Sequence, residues 1–344
     1  MPVRTLNELR RAALEAFEKT VIAEKNRNRL GQSTKKRFES VQVPYESEKQ
    51  SGADHAAHKT VGNFPEKPKE PAIDCLVSTV EQLQAVAEWG RCRRIYIDSD
   101  LLLGESGVTG RTMQKAGADF YAALPFIVRE RDKAYLQRLS ACLAEADTRI
   151  SGVLLRNLEG LAYMKTLREE NAALFGALDL VPDAGLYCFN DQAVRFLSEF
   201  SGEITVPYEL NAGEAGHLVR AAKEQGICAN LIVYSRIPMM ITTNCLKKTA
   251  DLCQDAGKKT RRIFLKDRYG ATFPVVINCD HCYNVIYNSV PYSLQGAKKE
   301  RDRIGADAFR YDFVTETGKQ CRQILEGKFP FEDYTAGHCK RGVE

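Results

Sequence analysis

The stretch DCLVSTVEQLQAVAEWGRCRRIYID, residues 74–98, decides the fold because it contains one strand–helix–strand unit. Residues 74–79 and 94–98 are short apolar runs, typical of buried strands. Residues 80–89 between them are expected to be helical. The unit predicts that this part of the chain alternates strands with helices.

The same alternation continues towards the C-terminus. Further strands are predicted at 121–128, 151–156, 185–189, 203–207, 229–234 and 307–313. Further helices are predicted at about 131–146, 159–171, 191–200, 211–225 and 316–326. Eight β units with intervening helices over about 260 residues are typical of a (β/α)₈ barrel. The predicted fold is therefore α/β, a (β/α)₈ TIM-like barrel.

A doubly wound open sheet is the alternative fold. No strand is followed by GxGxxG, and GESGVTG at 104–110 spaces its glycines every third residue, so no dinucleotide fingerprint supports the open sheet. The link between the second and third strands is irregular, and no clear helix is predicted for it.

Four regions are predicted along the chain. Residues 1–31 are expected to be the C-terminal helix of a preceding domain, since TLNE offers a capping box at Thr5 and Glu8. Residues 32–72 have the polar composition of a linker. The barrel occupies 73–330, and 331–344 form a tail. We expect the chain to be the C-terminal part of a longer protein or one partner of a complex.

Composition limits the location and the partners of the protein. Of 344 residues, 44% are hydrophobic and 27% charged, and the net charge is +4. No apolar run approaches the roughly 18 residues of a membrane span, and the N-terminus has no signal-peptide core. A cytoplasmic protein without membrane contact is predicted. The weakly basic charge is compatible with RNA binding but does not indicate it.

The eleven cysteines fall into different groups. Five lie in or beside apolar segments and are expected to be buried as small hydrophobic residues; they are Cys75, Cys92, Cys142, Cys188 and Cys228. Four others lie in polar, turn-rich sequence and need another explanation; they are Cys245, Cys253, Cys279 and Cys282. Cys321, within a helix, and Cys339, in the tail, are possible substitutes for one of these four.

All four unexplained cysteines belong to the long connection between the seventh and eighth strands, which in a barrel lies on the catalytic face. Within this insertion, residues 240–295, FLKDRYGATFPVV predicts a β-hairpin that turns at Gly270. The hairpin would return Cys279 and Cys282 to Cys245 and Cys253. Four thiolates suit zinc or an iron–sulfur cluster. Basic neighbours such as Lys247 and Arg262 would favour the thiolates. A redox pair or unconnected thiols are the alternatives.

Residues just after the strands should surround the active site of a barrel. Those singled out are Arg156, Asn157, Asn190, Glu209, Asn211 and Arg236, together with Arg310 or Asp312 with Glu316. Arg156 and Arg236 could clamp a small dicarboxylate. Asn190 and Asn211 are equally natural helix N-caps. Glu209 is the candidate catalytic carboxylate, and His338 of the tail could fold over the mouth. No HExxH or GxSxG motif indicates a known protease mechanism.

Several segments together resemble the collagenase-like peptidases of unknown catalytic type, family 32. They are GVLLRNLEG (152–160), VPYELN (206–211), LIVYSRIPMMITTNC (231–245), LKDRYGATFPVV (265–276), NCDHCYNVIYNSVPYSL (278–294) and TAGHCKRGVE (335–344). The resemblance covers about residues 73–344 and is to the C-terminal half of the long members.

This resemblance implies two different activities. The family name implies a metal-dependent, collagenase-like peptidase. Its bacterial members also include cytosolic proteins that hold a four-iron four-sulfur cluster through four cysteines and hydroxylate a pyrimidine of transfer or ribosomal RNA without oxygen, with prephenate as the hydroxyl source. The four family cysteines correspond to Cys245, Cys253, Cys279 and Cys282.

One segment departs from the family pattern. The N-terminal type of the family has a Gly-rich GxxCxxxxGxC segment, and this chain has PMMITTNCLKKTADLC at 238–253 instead. This half is therefore either the hydroxylase or a zinc-stabilised scaffold that supports an N-terminal half or a partner subunit.

Overall fold

The computed structural model describes residues 70–145, 149–249 and 261–340. The predicted helix at 1–31, nearly all of the predicted linker at 32–72, and Cys253 lie outside the described residues.

Eight parallel strands form the main sheet, and each is bounded by turns or helices. They are β1 (Ala72–Val77), β2 (Arg94–Asp98), β3 (Asp119–Ala123), β4 (Ile150–Leu155), β5 (Asp179–Pro182), β6 (Glu203–Val206), β7 (Cys228–Ser235) and, last in the chain, β13 (Ala308–Asp312). Five further strands lie between β7 and β13: β8 (Pro238–Thr242), β9 (Arg261–Lys266), β10 (Thr272–Asn278), β11 (Tyr283–Tyr287) and β12 (Tyr292–Ser293).

Helices connect the parallel strands. They are α1 (Val80–Trp89), α2 (Ser99–Gly104), α3 (Ser106–Lys115), α4 (Lys133–Ala144), α5 (Leu158–Glu170), α6 (Ala172–Phe175), α7 (Asp191–Ser198), α8 (Ala212–Glu224), α9 (Leu246–Thr249), α10 (Lys298–Ile304) and α11 (Gly318–Leu325). Short 3₁₀ turns occur at Glu130–Asp132, Ala184–Leu186 and Gln295–Ala297. No helix of the described residues is long and apolar enough to cross a bilayer.

The main sheet is curled. Ladder hydrogen bonds join the parallel strands in the order β6-β7-β13-β1-β2-β3-β4-β5, and β12 adds an antiparallel pair at the end of β7. No ladder joins β5 to β6 among the described residues. The two strands are nevertheless neighbours, because the Ser201 hydroxyl just before β6 contacts the carbonyl oxygen of Leu180 on β5. The fold is thus mixed α/β with a curled parallel sheet.

The second sheet is the antiparallel insertion between β7 and β13. Its order is β8-β11-β10-β9, so β8 and β9 are its edges. β9 and β10 form the predicted hairpin, and Gly270 in its turn has φ +90°, a backbone that residues with a Cβ rarely adopt. The hairpin prediction is confirmed.

The hydrophobic core has three main parts around the parallel sheet. Two clusters lie where helices cover the outside of the sheet, one beside β1–β4 and one beside β6 and β7. A third fills the inside of the curl with Leu76, Tyr96, Tyr121, Leu154 and Val181 among its members. Gly152 on β4 is required there, because a Cβ would lie 2.3 Å from the Tyr121 ring.

Two sequence predictions about elements are wrong. The fifth strand is Asp179–Pro182 and not 185–189, which follows it as a turn and loop. The link between β2 and β3, for which no clear helix was predicted, contains α2 and α3. The remaining predicted strands and helices overlap observed ones, with boundaries shifted at most positions.

Candidate functional site

A cavity of about 920 Å³ lies at the carboxyl ends of the parallel strands. Its floor and one wall come from residues that follow the strands, including Ser78, Asp98, Arg156, Asp183 and Asp312. Its other wall is the second sheet, which contributes residues of β8, β9, β10 and β11. Ligands of parallel α/β proteins bind at this end of the sheet, so the cavity is the candidate site.

A buried charge network forms the floor of the cavity. Arg310 is fully buried, and its guanidinium donates to both carboxylate oxygens of Asp312, at 2.8 and 3.0 Å, and to Asp183. Its Nη1 also lies 3.4 Å from the Thr205 hydroxyl. A buried charge is stable only when it is paired in this way. Arg310 thereby ties β13 to the ends of β5 and β6.

The pKa values of the two carboxyl groups that share Arg310 are shifted in opposite directions. Burial alone would raise the pKa of Asp183, but the cations of Arg310 and Arg156 outweigh burial and lower that pKa. For Asp312, burial is the dominant cause and raises the pKa, Arg310 opposes it, and the Asp183 carboxylate adds to it. Asp312 is therefore the carboxyl of this pair that more readily takes up a proton.

Tyr208 extends this pair into the cavity. Its hydroxyl donates to Ser235 Oγ at 3.1 Å and lies 3.5 Å from Asp312 Oδ2. All three residues line the cavity, as does the half-buried Glu209 that follows Tyr208. Proton transfer needs groups within hydrogen-bond reach of each other, and Tyr208 lies within that reach of Ser235 and Asp312.

Both predicted clamp arginines line the cavity, but each is already paired. Arg156 Nη1 lies 2.9 Å from Asp98 Oδ1, and its Nε lies 3.5 Å from Asp183. Arg236 Nη1 donates to the Ser289 carbonyl at 3.0 Å, and its Nε lies 3.4 Å from Glu316. A ligand anion would thus share these guanidinium groups with internal carboxylates.

Arg262 is a third cation of the cavity wall and differs from the other two. It lies on β9, is exposed, and forms no ion pair with any carboxylate in the described part of the chain. An exposed guanidinium without an internal carboxylate is free to bind a carboxylate or phosphate of a ligand.

The predicted asparagines are helix N-caps. Asn157 Oδ1 accepts from Gly160 N at 2.7 Å, and its Nδ2 donates to the carbonyls of Pro125 and Phe126, so its whole amide is used although it lines the cavity. Asn190 caps α7, and Asn211 caps α8 in a capping box with Glu214. Neither Asn190 nor Asn211 lines the cavity.

The tail runs outside the cavity wall. Thr335 pairs with Tyr292 of β12, and the buried Cys339 accepts from Ala212 N at 2.9 Å through its carbonyl. His338 is exposed and does not line the cavity. Cys321 is fully buried within α11, as expected for a packed helix residue.

Strand register places three of the four candidate ligand cysteines at one end of the second sheet. Asn284 pairs with Thr242, so Cys282, before β11, and Cys245, after β8, leave the sheet at the same end. Cys279 directly follows β10 there, and Lys247 Nζ lies 3.7 Å from its Sγ. Within the described ranges, no group of three or more Cys, His, Asp or Glu is arranged to hold a metal ion. Cys253 lies outside those ranges.

His281, between Cys279 and Cys282, attaches the cysteine loop to the main sheet. It is only 1% exposed, with Nε2 3.3 Å from Asp100 and Nδ1 3.4 Å from Asp132. The Tyr135 ring packs edge-on against the imidazole at 4.3 Å. Burial lowers the pKa of His281, but the two carboxylates outweigh burial and raise it. The cysteine loop is thereby fixed to the connections after β2 and β3.

We expect replacement of His281 by alanine to lower the free energy of unfolding by about 2–4 kcal/mol, because it leaves the partly buried Asp100 and buried Asp132 without their shared partner. The matched control is His217→Ala, since His217 also pairs with one carboxylate, Asp191, but is 61% exposed. That change should cost under about 1 kcal/mol. Urea unfolding of both variants measures the difference, and equal losses would show that the His281 contacts do not fix the loop.

No protein-family model matches the chain. No curated protein matches it either. A candidate fructose-1,6-biphosphate aldolase from Coccidioides immitis is 13% identical with a TM-score of 0.35, over 47% of this chain and 64% of that chain, which is less than two thirds of its length. The spore cortex-lytic enzymes SleL of Bacillus cereus and Bacillus megaterium are 10% and 12% identical, each with a TM-score of 0.37 over 77% of this chain and 75% of theirs. Similarity at this level has no bearing on activity.

Proposed function

We propose that this chain is a family-32-peptidase-like barrel protein that hydroxylates a pyrimidine of ribosomal or transfer RNA without oxygen, with prephenate as the hydroxyl source and an external electron acceptor for the two electrons that the C–H bond gives up. In this proposal the four cysteines, Cys245, Cys253, Cys279 and Cys282, hold a four-iron four-sulfur cluster. The barrel is a closed (β/α)₈ barrel over 73–330 with the cysteine-rich insertion at 240–295.

One observation carries the proposal. The residues on either side of Cys279, Asn278 and Asp280, line the cavity, so the cysteine end of the second sheet is also part of the cavity wall. A group bound by the cysteines would therefore lie beside a ligand in the cavity. A site that serves only stability has no need to be next to the cavity at the carboxyl ends of the strands.

Side-chain pairs support closure of the barrel. Arg94 on β2 pairs with Glu203 on β6, and Arg310 on β13 pairs with Asp183 after β5. Each pair joins strands that are far apart in the order of the sheet. Such pairs cross the interior of the curled sheet, as expected if β5 and β6 are neighbouring strands of one closed barrel.

The donor set suits the cluster. Four thiolates are the usual ligands of a four-iron four-sulfur cluster, and the Lys247 cation 3.7 Å from Cys279 favours the deprotonated thiol. When bound, the cluster supplies electron transfer. Zinc accepts the same four thiolates and is the alternative occupant.

The residues of this chain would bind the anion, manage a proton and exclude water. Arg262 would attract the carboxylates of prephenate. Arg236 would attract them too, although Glu316 neutralises part of its charge. Tyr208 and Asp312 would hold a proton at the hydroxyl and carboxyl that face the cavity, with Glu209 as the half-buried acid–base group. Tyr283, Val285 and Tyr287 of the second sheet would cover the ligand.

A zinc-stabilised scaffold half is the second candidate, and one observation favours it. Arg156, Asn157 and Arg236 all have partners within the fold, which is what structural residues require. A scaffold would keep these contacts and perform no chemistry.

The proposal is tested by nucleoside analysis of RNA from cells that lack the gene. Expression of the full chain should restore a pyrimidine nucleoside that carries one added oxygen atom, detected by mass spectrometry. Restoration should require prephenate synthesis by the cells and should survive anaerobic growth. An unchanged nucleoside profile in the presence of the folded, cluster-loaded protein would refute the hydroxylase and leave the scaffold.

We expect Glu209→Gln to lower formation of the hydroxylated nucleoside about 100-fold or more, because loss of a general acid–base group costs this much. The fold should be unaffected to within about 0.5 kcal/mol, since Glu209 is half-buried at the cavity wall. The control Glu199→Gln alters an exposed carboxylate at the end of α7 and should change neither quantity. Full activity of Glu209→Gln would remove this residue from the catalytic group.

A further inference from the structure

The hairpin β9–β10 carries a strip of cations and one aromatic ring on the same face that lines the cavity. Side chains alternate along a strand, so Arg262, Phe264 and Lys266 of β9 project from one face. Their partners on β10 are Val276, Pro274 and Thr272. Arg262 and Val276 both line the cavity, so the strip begins at the cavity wall and leads away from it.

Every side chain of the strip is open to solvent. Arg262 and Lys266 are exposed, and Phe264 is 64% exposed although it is a large apolar residue. In the turn beyond, Tyr269 is 79% exposed and the Arg268 guanidinium lies 4.6 Å from its ring centroid. β9 is an edge strand, so no further strand of the described residues covers it.

A second aromatic feature borders the cavity. Tyr187 and Phe189, in the loop after β5, stack with ring centroids 5.7 Å apart and an interplanar angle of 8°. Both are exposed, and Tyr187 lines the cavity. Tyr187 has φ +51°, an uncommon backbone for a residue with a Cβ, and such conformations concentrate at ligand sites.

Cations that alternate with exposed aromatic rings on an extended strand suit single-stranded nucleic acid. The cations attract the phosphates, and the rings stack on bases that are not paired. A protein partner would instead bury a contiguous apolar patch, and a membrane surface would need several apolar side chains together. Here Phe264 stands alone between Arg262 and Lys266 on its strand.

We propose that Phe264 and Lys266 of the strip bind a single-stranded RNA segment, with Phe264 stacked on a base next to the one that enters the cavity, while Arg262 at the cavity end of the strip faces the ligand in the cavity. The base that enters passes the Tyr187–Phe189 pair. This inference rests on the proposed function, because that function makes an RNA pyrimidine the substrate of the cavity. Beyond that function, the inference specifies the surface on which the RNA strand lies and requires that the RNA be unpaired.

Fluorescence anisotropy of the full chain with a fluorescein-labelled single-stranded oligouridylate tests the inference. Phe264→Ala should weaken binding about 5- to 150-fold, the range expected for loss of one base stack. Lys266→Ala should reduce the slope of log affinity against log salt by about 0.7, the value for one phosphate contact on a single strand. Phe196→Ala and Arg195→Ala change an exposed ring and cation on α7 and should leave binding unaltered.

Four results would overturn the inference. The first is that the wild-type chain does not bind the oligonucleotide, and the second is that both strip variants bind it with unchanged affinity. The third is that duplex RNA binds as tightly as the single strand. The fourth is that polyglutamate or phosphatidylserine vesicles bind in the same Phe264-dependent way. The outcome is separable from that of the proposed function. If RNA binding depends on the strip but no hydroxylated nucleoside forms, only the proposed hydroxylase function is refuted. If hydroxylation occurs without strip-dependent binding, only the RNA-binding role of the strip is refuted.

Discussion

Replacement of Arg310 by methionine is expected to lower the free energy of unfolding by about 3–5 kcal/mol at neutral pH. Arg310 is fully buried and contributes the cation shared by Asp183 and Asp312. Methionine fills most of the space but leaves two buried carboxyl groups with less compensating charge. Their desolvation is then opposed by Arg156, which lies 3.5 Å from Asp183, and by the hydrogen bond from Ala184 N to Asp183 Oδ1.

The pH dependence of this loss follows from the same charges. Without Arg310, the folded-state pKa values of both carboxyl groups should lie above their unfolded value of about 4. The destabilisation is then complete at pH values above the folded pKa. It shrinks as the pH falls through that pKa, because protonation neutralises the buried groups.

Urea unfolding at two pH values measures both effects. The control is Arg322→Met, since Arg322 also pairs with a carboxylate, Glu88, but at an exposed position, and it should lose under about 1 kcal/mol. Adding Asp312→Asn to Arg310→Met should recover part of the loss by removing one stranded charge. An Arg310→Met protein as stable as the Arg322→Met control would show that the network does not hold the floor of the cavity together.

Substitution of Cys279 by serine is expected to abolish cluster binding and the hydroxylated nucleoside together. A serine hydroxyl is a poor ligand for iron–sulfur clusters, and one missing thiolate opens the site to solvent. Both chain neighbours of Cys279, Asn278 and Asp280, line the cavity.

Iron and sulfide analysis of the anaerobically purified variant checks this expectation. The control Cys142→Ser alters a half-buried cysteine of α4, outside the insertion, and should retain iron, sulfide and activity. Activity that persists in a Cys279→Ser protein without iron would contradict the role of the cluster in the reaction.

Local patterns in the sequence predict much of this architecture. Apolar runs separated by helical stretches give most of the parallel strands, and FLKDRYGATFPVV with Gly270 gives the hairpin. The hairpin also leads to the prediction that Cys279 and Cys282 return towards Cys245, and in the structure the pairing of β11 with β8 brings these cysteines to one end of the sheet. These features depend on residues close together in the chain, where periodicity and turn chemistry are informative.

The sequence did not predict the short strand β5 or the glycine-containing helices α2 and α3. β5 has four residues and ends at Pro182, while GLYCF after it looks more strand-like because its apolar residues are continuous. Two of those residues, Tyr187 and Phe189, are in fact exposed and stacked on each other. In the link between β2 and β3, Gly104, Gly107 and Gly110 argue against the helices that form there.

The site itself depends on contacts between distant residues. His281 lies among cysteines in the sequence, and nothing local indicates that it contacts Asp100, 181 residues earlier. No local sequence pattern indicates that Arg310 pairs with Asp183, 127 residues away. Helix N-caps and ligand-binding asparagines share the same sequence signal, which is why Asn190 and Asn211 were equally compatible with both roles.

The metal content of the wild-type chain purified without oxygen tests the iron–sulfur assignment most directly. We expect a brown protein with broad visible absorption that bleaches on reduction, and with about four iron and four sulfide per chain. A colourless protein with one zinc per chain would contradict this assignment and would make the cysteine end of the second sheet a structural zinc site.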